Sequence, residues 1–190
     1  AATTDDPSRL CPELLDIVPS NLRKPYDMCR MITALVDNGA YFAYKPEFGK
    51  GLITCLARMG GRPVGVVASQ PSHEGGVIDW DAAYKARRFI AVCDAFHVPL
   101  IFLQDQPGFV VGKTAEAHRM VFWGGSLLAT VQRSTVPKLT VILRKAHGAA
   151  MWAVGGRSGD SPDLLFAWPL ALMTGTGPAS AVYTIHDKEL

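Results

Sequence analysis

Apolar and polar residues alternate in blocks along this chain, and the period of each block predicts an element. Between Tyr26 and Val36 the apolar side chains fall at Met28, Met31, Ile32 and Leu35. That spacing predicts a helix with one buried face, stopped by Asp37-Asn38-Gly39. Leu52 to Met59 and Pro63 to Ser69 are β-rich runs on either side of Gly60-Gly61, the pattern of a hairpin. Asp79 to Phe96 predicts a long helix, with Ala83, Ala86, Ile90 and Cys93 recurring every three or four residues and Asp79 or Asp81 as its cap. Pro99 to Gln104 predicts a strand. Ala115 to Arg133 predicts a second long helix, and it contains Gly124-Gly125. Internal glycine weakens a helix by about 1 kcal/mol relative to alanine, so this pair marks close packing against a neighbour. Lys138 to Leu143 predicts another strand, followed by a short helix from about Ala149. Leu164 to Ala167 predicts a further strand ended by Trp168-Pro169, and Ala179 to Ile185 a last short helix. Strands alternating with helices imply an α/β fold with parallel pairing and right-handed crossovers.

Two strand ends share one feature. Leu100 to Gln104 runs into Asp105-Gln106-Pro107-Gly108-Phe109, and Leu139 to Leu143 runs into Arg144-Lys145-Ala146-His147-Gly148-Ala149-Ala150. A glycine between strand and helix can aim bare backbone N–H groups at a developing negative charge. Each glycine taken singly is explained by the tight turn it permits. The same arrangement twice moves the balance toward a site built from backbone.

Composition narrows the chemistry. The 190 residues are 48% hydrophobic and 19% charged, which fits one globular domain with a substantial core. A net charge of +2 and scattered basic pairs (Arg23-Lys24, Arg87-Arg88, Arg144-Lys145) do not make a nucleic-acid surface. Cys11, Cys29, Cys55 and Cys93 form no C-x-x-C pair, which fits reduced thiols in the cytoplasm or a mitochondrial matrix. The five histidines show no metal-ligand spacing. No apolar run is long enough for a membrane span. The polar start, residues 1–9, reads as a linker, with the folded domain over 10–190. The chain stops at Glu189-Leu190 without a clear terminal element, which suggests a domain truncated at its C-terminal end and a piece of something longer.

Other chemistries fit less well. Gly108 to Thr114 stands where a phosphate loop would, but only three residues separate Gly108 from Gly112-Lys113-Thr114, and that loop needs four. No G-x-S-x-G elbow exists for a serine hydrolase. The acids are dispersed, and Asp105 is the only one directly beside either glycine turn.

The run Lys85 to Ile101, ending in Asp105-Gln106-Pro107-Gly108-Phe109, resembles the carboxyltransferase (beta) subunits of biotin-dependent acyl-CoA carboxylases. Val136 to Ala150 is similar to that family's second signature. Arg58 to Gly65, Gly112 to Gly125 and Phe166 to Pro169 add to the likeness, which covers the chain from about Leu10 onward. The family includes propionyl-, acetyl- and methylcrotonyl-CoA carboxylases and related decarboxylases. The resemblance implies a crotonase-like ββα superhelix, and it maps to the second, C-terminal, of the family's two such halves. It also implies a reaction: a carboxyl group passes from carboxybiotin on a carrier protein to the α-carbon, or vinylogous carbon, of an acyl-CoA. The partners it implies are the N-terminal half, a biotin carboxylase with its biotin carrier, and further copies in an oligomer. This half would supply the biotin side of the site. Its backbone donors fall at Gly148, Ala149 and Ala150, with Pro107, Gly108, Phe109, His147 and Trp152 lining the biotin and substrate cleft. No metal is implied.

The chain departs from the family pattern in three places. His147 replaces an aromatic residue and Ala149 a second glycine. Trp152 stands where the family sets acyl-chain preference. The third departure is the stretch after Glu116, with His118-Arg119-Met120 and Trp123 to Ser126 in place of the family's motifs. These changes leave two alternatives open. One is an assembly domain that has lost catalysis. The other is a stand-alone crotonase-like hydratase or hydrolase using Asp105 as its acid.

Overall fold

The computed structural model describes residues 3–156, 162–177 and 182–183. Two short helices come first, α1 (Leu14–Ile17) and α2 (Met28–Leu35), then strands β1 (Tyr41–Ala43), β2 (Leu52–Met59) and β3 (Arg62–Ser69). Helix α3 (Trp80–Ala95), strand β4 (Leu100–Gln106), helices α4 (Lys113–Ala117) and α5 (Met120–Arg133) and strand β5 (Lys138–His147) follow. Helix α6 (Gly148–Ala153) and strands β6 (Leu164–Ala167) and β7 (Leu172–Thr174) complete the order. The strands form one seven-stranded sheet, β1-β2-β3-β4-β5-β6, with β7 also on β5. β1, β2 and β3 pair antiparallel, and every pairing from β3 onward is parallel.

Local chemistry explains most of these elements. Gly60 and Gly61 both have positive φ, +57° and +77°, the backbone a two-residue turn between twisted strands requires. The buried Asp37 carboxylate accepts both of their N–H groups at 2.8 and 2.7 Å. Those bonds hold its pKa below the ordinary carboxylate value. Asp79, rather than Asp81, caps α3 by accepting from the Ala82 N–H at 2.7 Å. The central strands then bury both faces. Leu52, Val67, Leu100 and Phe102 meet α3, α5 and α6 on one side. Val64, Val66, Ala68 and Leu103 meet α1 and α2 on the other. At Gly65 a Cβ would lie 2.6 Å from Cys93 Sγ, so only glycine lets α3 pack this close to β3.

Several expectations change. The helix expected over Ala115–Arg133 is two helices, because His118 ends α4 and Arg119 turns left-handed at φ +57°. β5 runs on to His147, past the expected end at Leu143. α1, β1 and β7 carry no readable period because they span only three or four residues each. The helix expected over 179–185 lies outside the described residues, apart from Val182 and Tyr183. The segment read as a linker is tied down: Arg9 pairs with Asp5 at 2.8 Å, and Asp5 accepts from the Asn38 N–H at 2.8 Å. All four cysteines are free thiols.

Candidate active site

β3, β4 and β5 run parallel, so their C-terminal ends lie on one edge of the sheet, where open α/β sheets place their ligands. Both glycine turns leave from that edge. At the first, Gly108 takes φ +138°, a backbone closed to other residues. The chain then pairs with Ile78: the Ile78 N–H donates to the Gly108 carbonyl at 3.1 Å and the Val110 N–H to the Ile78 carbonyl at 3.0 Å. This turn therefore spends the Gly108 carbonyl and the Val110 N–H on structure and shapes a wall.

The second turn differs. Gly148 takes φ +61° and is itself the first residue of α6. The first N–H groups of a helix have no partner within it, and among the described residues no side chain caps this one. Ala149 is absent from the residues with positive φ, so the unusual angle falls on Gly148 alone. Alanine at 149 therefore costs no backbone strain.

The two turns meet at one cavity of about 400 Å³. Phe109 and Val110 from the first turn, Ala149 from the second, and Met120, Gly124 and Leu128 from α5 line it. The walls are almost wholly apolar. The Phe109 ring lies over Gly124, where a Cβ would sit 3.2 Å from Cζ. This is the close packing that Gly124-Gly125 signalled. Gly125 has open space around it.

Not every expected residue reaches this cavity. Trp152 packs against the cluster of Ile142, Ala146 and Met151 and is not among the residues that line this cavity. His147 is buried, and its Nδ1 lies 2.9 Å from the Thr174 hydroxyl in β7. Thr174 donates its one proton to the Thr176 carbonyl, so the network assigns the ring proton to Nδ1, donating to Thr174. Burial pushes the His147 pKa below its ordinary value. The imidazole is neutral and holds β7 against the start of α6.

Asp105 is not an accessible acid. Its carboxylate is fully buried and pairs with the Arg144 guanidinium at 2.7 Å, while the Lys145 N–H donates to it at 3.2 Å. That geometry removes the acid a hydratase or hydrolase reading required. Two glutamines escaped the sequence reading. Gln104 Nε2 donates to the carbonyls of Met151 and Val154 at 3.2 and 2.5 Å, strapping the end of α6 to β4. Gln106, next to Pro107, buries both polar atoms of its carboxamide without a partner among the described residues. Neither stands out in an apolar strand run, because only the tertiary fold brings the α6 carbonyls to Gln104 and buries the Gln106 carboxamide.

Comparison with known proteins agrees with this architecture. The family model of the carboxyl transferase domain matches residues 1–190. An uncharacterized carboxylase of Bacillus subtilis (strain 168) is 42% identical over 177 residues, 93% of this chain and 34% of that protein. The methylmalonyl-CoA decarboxylase subunit alpha of Propionigenium modestum is 41% identical over 186 residues, 98% of this chain and 36% of that protein. The solved structure of transcarboxylase 12S, a hexamer with methylmalonyl-coenzyme A and methylmalonic acid bound, superposes over the whole chain with a TM-score of 0.94 at 39% identity. The superposition covers 36% of that structure's chain. The chain thus spans about a third of the length of the relatives it matches. The fold is crotonase-like.

Proposed function

This chain belongs to the carboxyl transferase domain family, and from that membership we propose that it forms the biotin-side half of an acyl-CoA carboxyltransferase. The observation that carries the proposal is the shared cavity: Phe109 and Ala149, from the two glycine turns, line one apolar space of about 400 Å³. An apolar bicyclic ring with a polar ureido edge fits walls of this kind beside the N–H groups of a helix start. When bound, carboxybiotin supplies the carboxyl group and a ureido oxygen able to accept the substrate's α-proton.

The residues of this chain then act by placement. The N–H groups at Gly148, Ala149 and Ala150 donate to the oxygen on which negative charge develops. One such donor is typically worth about 3–4 kcal/mol of barrier. Phe109, seated on Gly124, keeps water from that oxygen and strengthens the bonds to it. Gln104 holds the end of α6 through the Met151 and Val154 carbonyls, which fixes the direction of the donors. Pro107 and Gly108 set the path of the wall, and His147 fixes the helix start from the β7 side. Trp152 supports α6 from outside the cavity.

In this reading residues 10–190 are the C-terminal carboxyltransferase domain. The acyl-CoA pocket belongs to an N-terminal half across an interface in an oligomer, and the carboxyl donor arrives on a biotin carrier partner. The test mixes this chain with a matching N-terminal half, methylmalonyl- or malonyl-CoA and free biotin, and follows decarboxylation. Biotin-dependent turnover is expected, with a loss of about a hundredfold or more in Gly148→Val. No biotin-dependent turnover with any N-terminal half, together with no biotin affinity, would instead favour an assembly domain.

A further inference from the structure

A second concave site lies on the same edge of the sheet, on the face that α2 covers. It is a pocket of about 230 Å³ lined by Arg23, Lys24, Arg144 and Lys145, with Ser72 and Gly75. None of the described residues lining it carries a carboxylate. Behind it lies one buried acid, Asp105. Its Oδ2 is taken by Arg144 Nε at 2.7 Å, and its Oδ1 is 3.9 Å from Lys145 Nζ. That one carboxylate faces both Arg144 and Lys145, its strongest bond goes to Arg144, and Arg23 and Lys24 add two further cations to the pocket lining.

The pocket is held in shape by the same ion pair. Arg144 Nη1 donates to the carbonyls of Pro19, Asn21 and Lys24 at 3.2, 2.8 and 3.0 Å, so the loop that carries Arg23 and Lys24 is fixed from beneath. Lys145 Nζ donates one proton to the Gly75 carbonyl at 3.2 Å, and its side chain is only 16% exposed. Burial lowers the Lys145 pKa despite the nearby Asp105, and the Arg144 charge lowers it further. A partly buried ammonium with an overcommitted counter-ion is relieved by an added anion. Converging lysine and arginine side chains in a pocket this small favour a compact, multiply charged oxyanion.

We propose that this pocket binds a phosphate group, either as a free oxyanion or as part of a coenzyme A molecule. The site is separate from the cavity between the glycine turns, and it does not depend on the function proposed there.

The test measures thermal unfolding of the full chain with inorganic phosphate, pyrophosphate, coenzyme A or phosphate-free pantetheine, each against chloride at equal ionic strength. A saturable rise in midpoint with phosphate and pyrophosphate is expected, since a ligand of the folded state stabilises it by mass action. Pantetheine should give none. Lys24→Gln, at an exposed position, and Lys145→Met should each weaken binding by about tenfold or more. A rise with coenzyme A that both variants abolish places a coenzyme A phosphate here. A rise with the inorganic anions alone, lost in the same variants, assigns the site to free phosphate. The proposal is overturned by no saturable rise with any phosphate, by an equal rise in both variants, or by saturation with an acidic peptide and not with phosphate.

Discussion

Replacing Asp105 by asparagine tests the buried ion pair with Arg144. The carboxylate and the Arg144 side chain are 0% and 1% exposed and meet at 2.7 Å. The guanidinium also lies over the Tyr26 ring, 4.8 Å from its centroid. Asparagine keeps the shape and one acceptor but removes the charge, which leaves the Arg144 cation buried and uncompensated. Breaking one side of a buried pair costs roughly 3–5 kcal/mol, and the acceptor that remains argues for the lower end, about 3 kcal/mol. Against a total stability of about 5–15 kcal/mol, this is a large fraction. Urea unfolding at pH 7 should show the midpoint falling by about 1.5 M at an m-value near 2 kcal/mol/M. The double variant Asp105→Leu/Arg144→Met should lose less than the two single variants summed, because no charge is left stranded. A loss below about 1 kcal/mol would refute the structural assignment. So would a variant with unchanged midpoint and lost turnover, which would return Asp105 to the role of an acid.

Three further outcomes are expected. Gly124→Ala gains about 1 kcal/mol of helix propensity but places a Cβ 3.2 Å from the Phe109 ring, so stability should change little while biotin affinity, measured by titration calorimetry, falls. Burial lowers the His147 pKa from 6.5. The unfolded chain therefore binds its proton first as pH falls, and the contribution of His147 is full above 6.5 and lost below it; urea titrations at stepped pH should show this slope flattened in His147→Phe. Burial lowers the Lys85 pKa from 10.5 to about 8, and among the described residues its ammonium reaches only the Lys45 carbonyl, at 3.4 Å. Lys85→Met should stabilise the fold at pH 7 by roughly 2–3 kcal/mol, with the gain shrinking as pH rises from about 8 toward 10.5; a destabilised variant in the same urea assay would count against that reasoning.

The resemblance to carboxyltransferase subunits was legible because its signature runs are local. Lys85 to Phe109 and Val136 to Ala150 are contiguous, and strand, turn and helix can each be read within them. The shared cavity was only partly legible. The spacing showed two similar glycine turns, and the resemblance already made them unequal, with donors at Gly148, Ala149 and Ala150 and Gly108 lining the cleft beside them. In the structure the first turn pairs its Gly108 carbonyl and Val110 N–H with Ile78, and the second itself begins a helix. The side of α6 that Trp152 takes was not legible, because a six-residue helix has too few turns to fix a face by period.

Local sequence suffices for the elements with strong periods, the capped α3, the glycine hairpin and the family to which the chain belongs. These follow from local dihedral preferences and from hydrophobic spacing within one element. The tertiary structure alone decided that Asp105 is a buried partner of Arg144, that His147 turns toward β7, and that four cations converge on one pocket. Each depends on residues far apart in the chain meeting in space, and on the burial that sets how strongly their charges act. No period within a single segment encodes either.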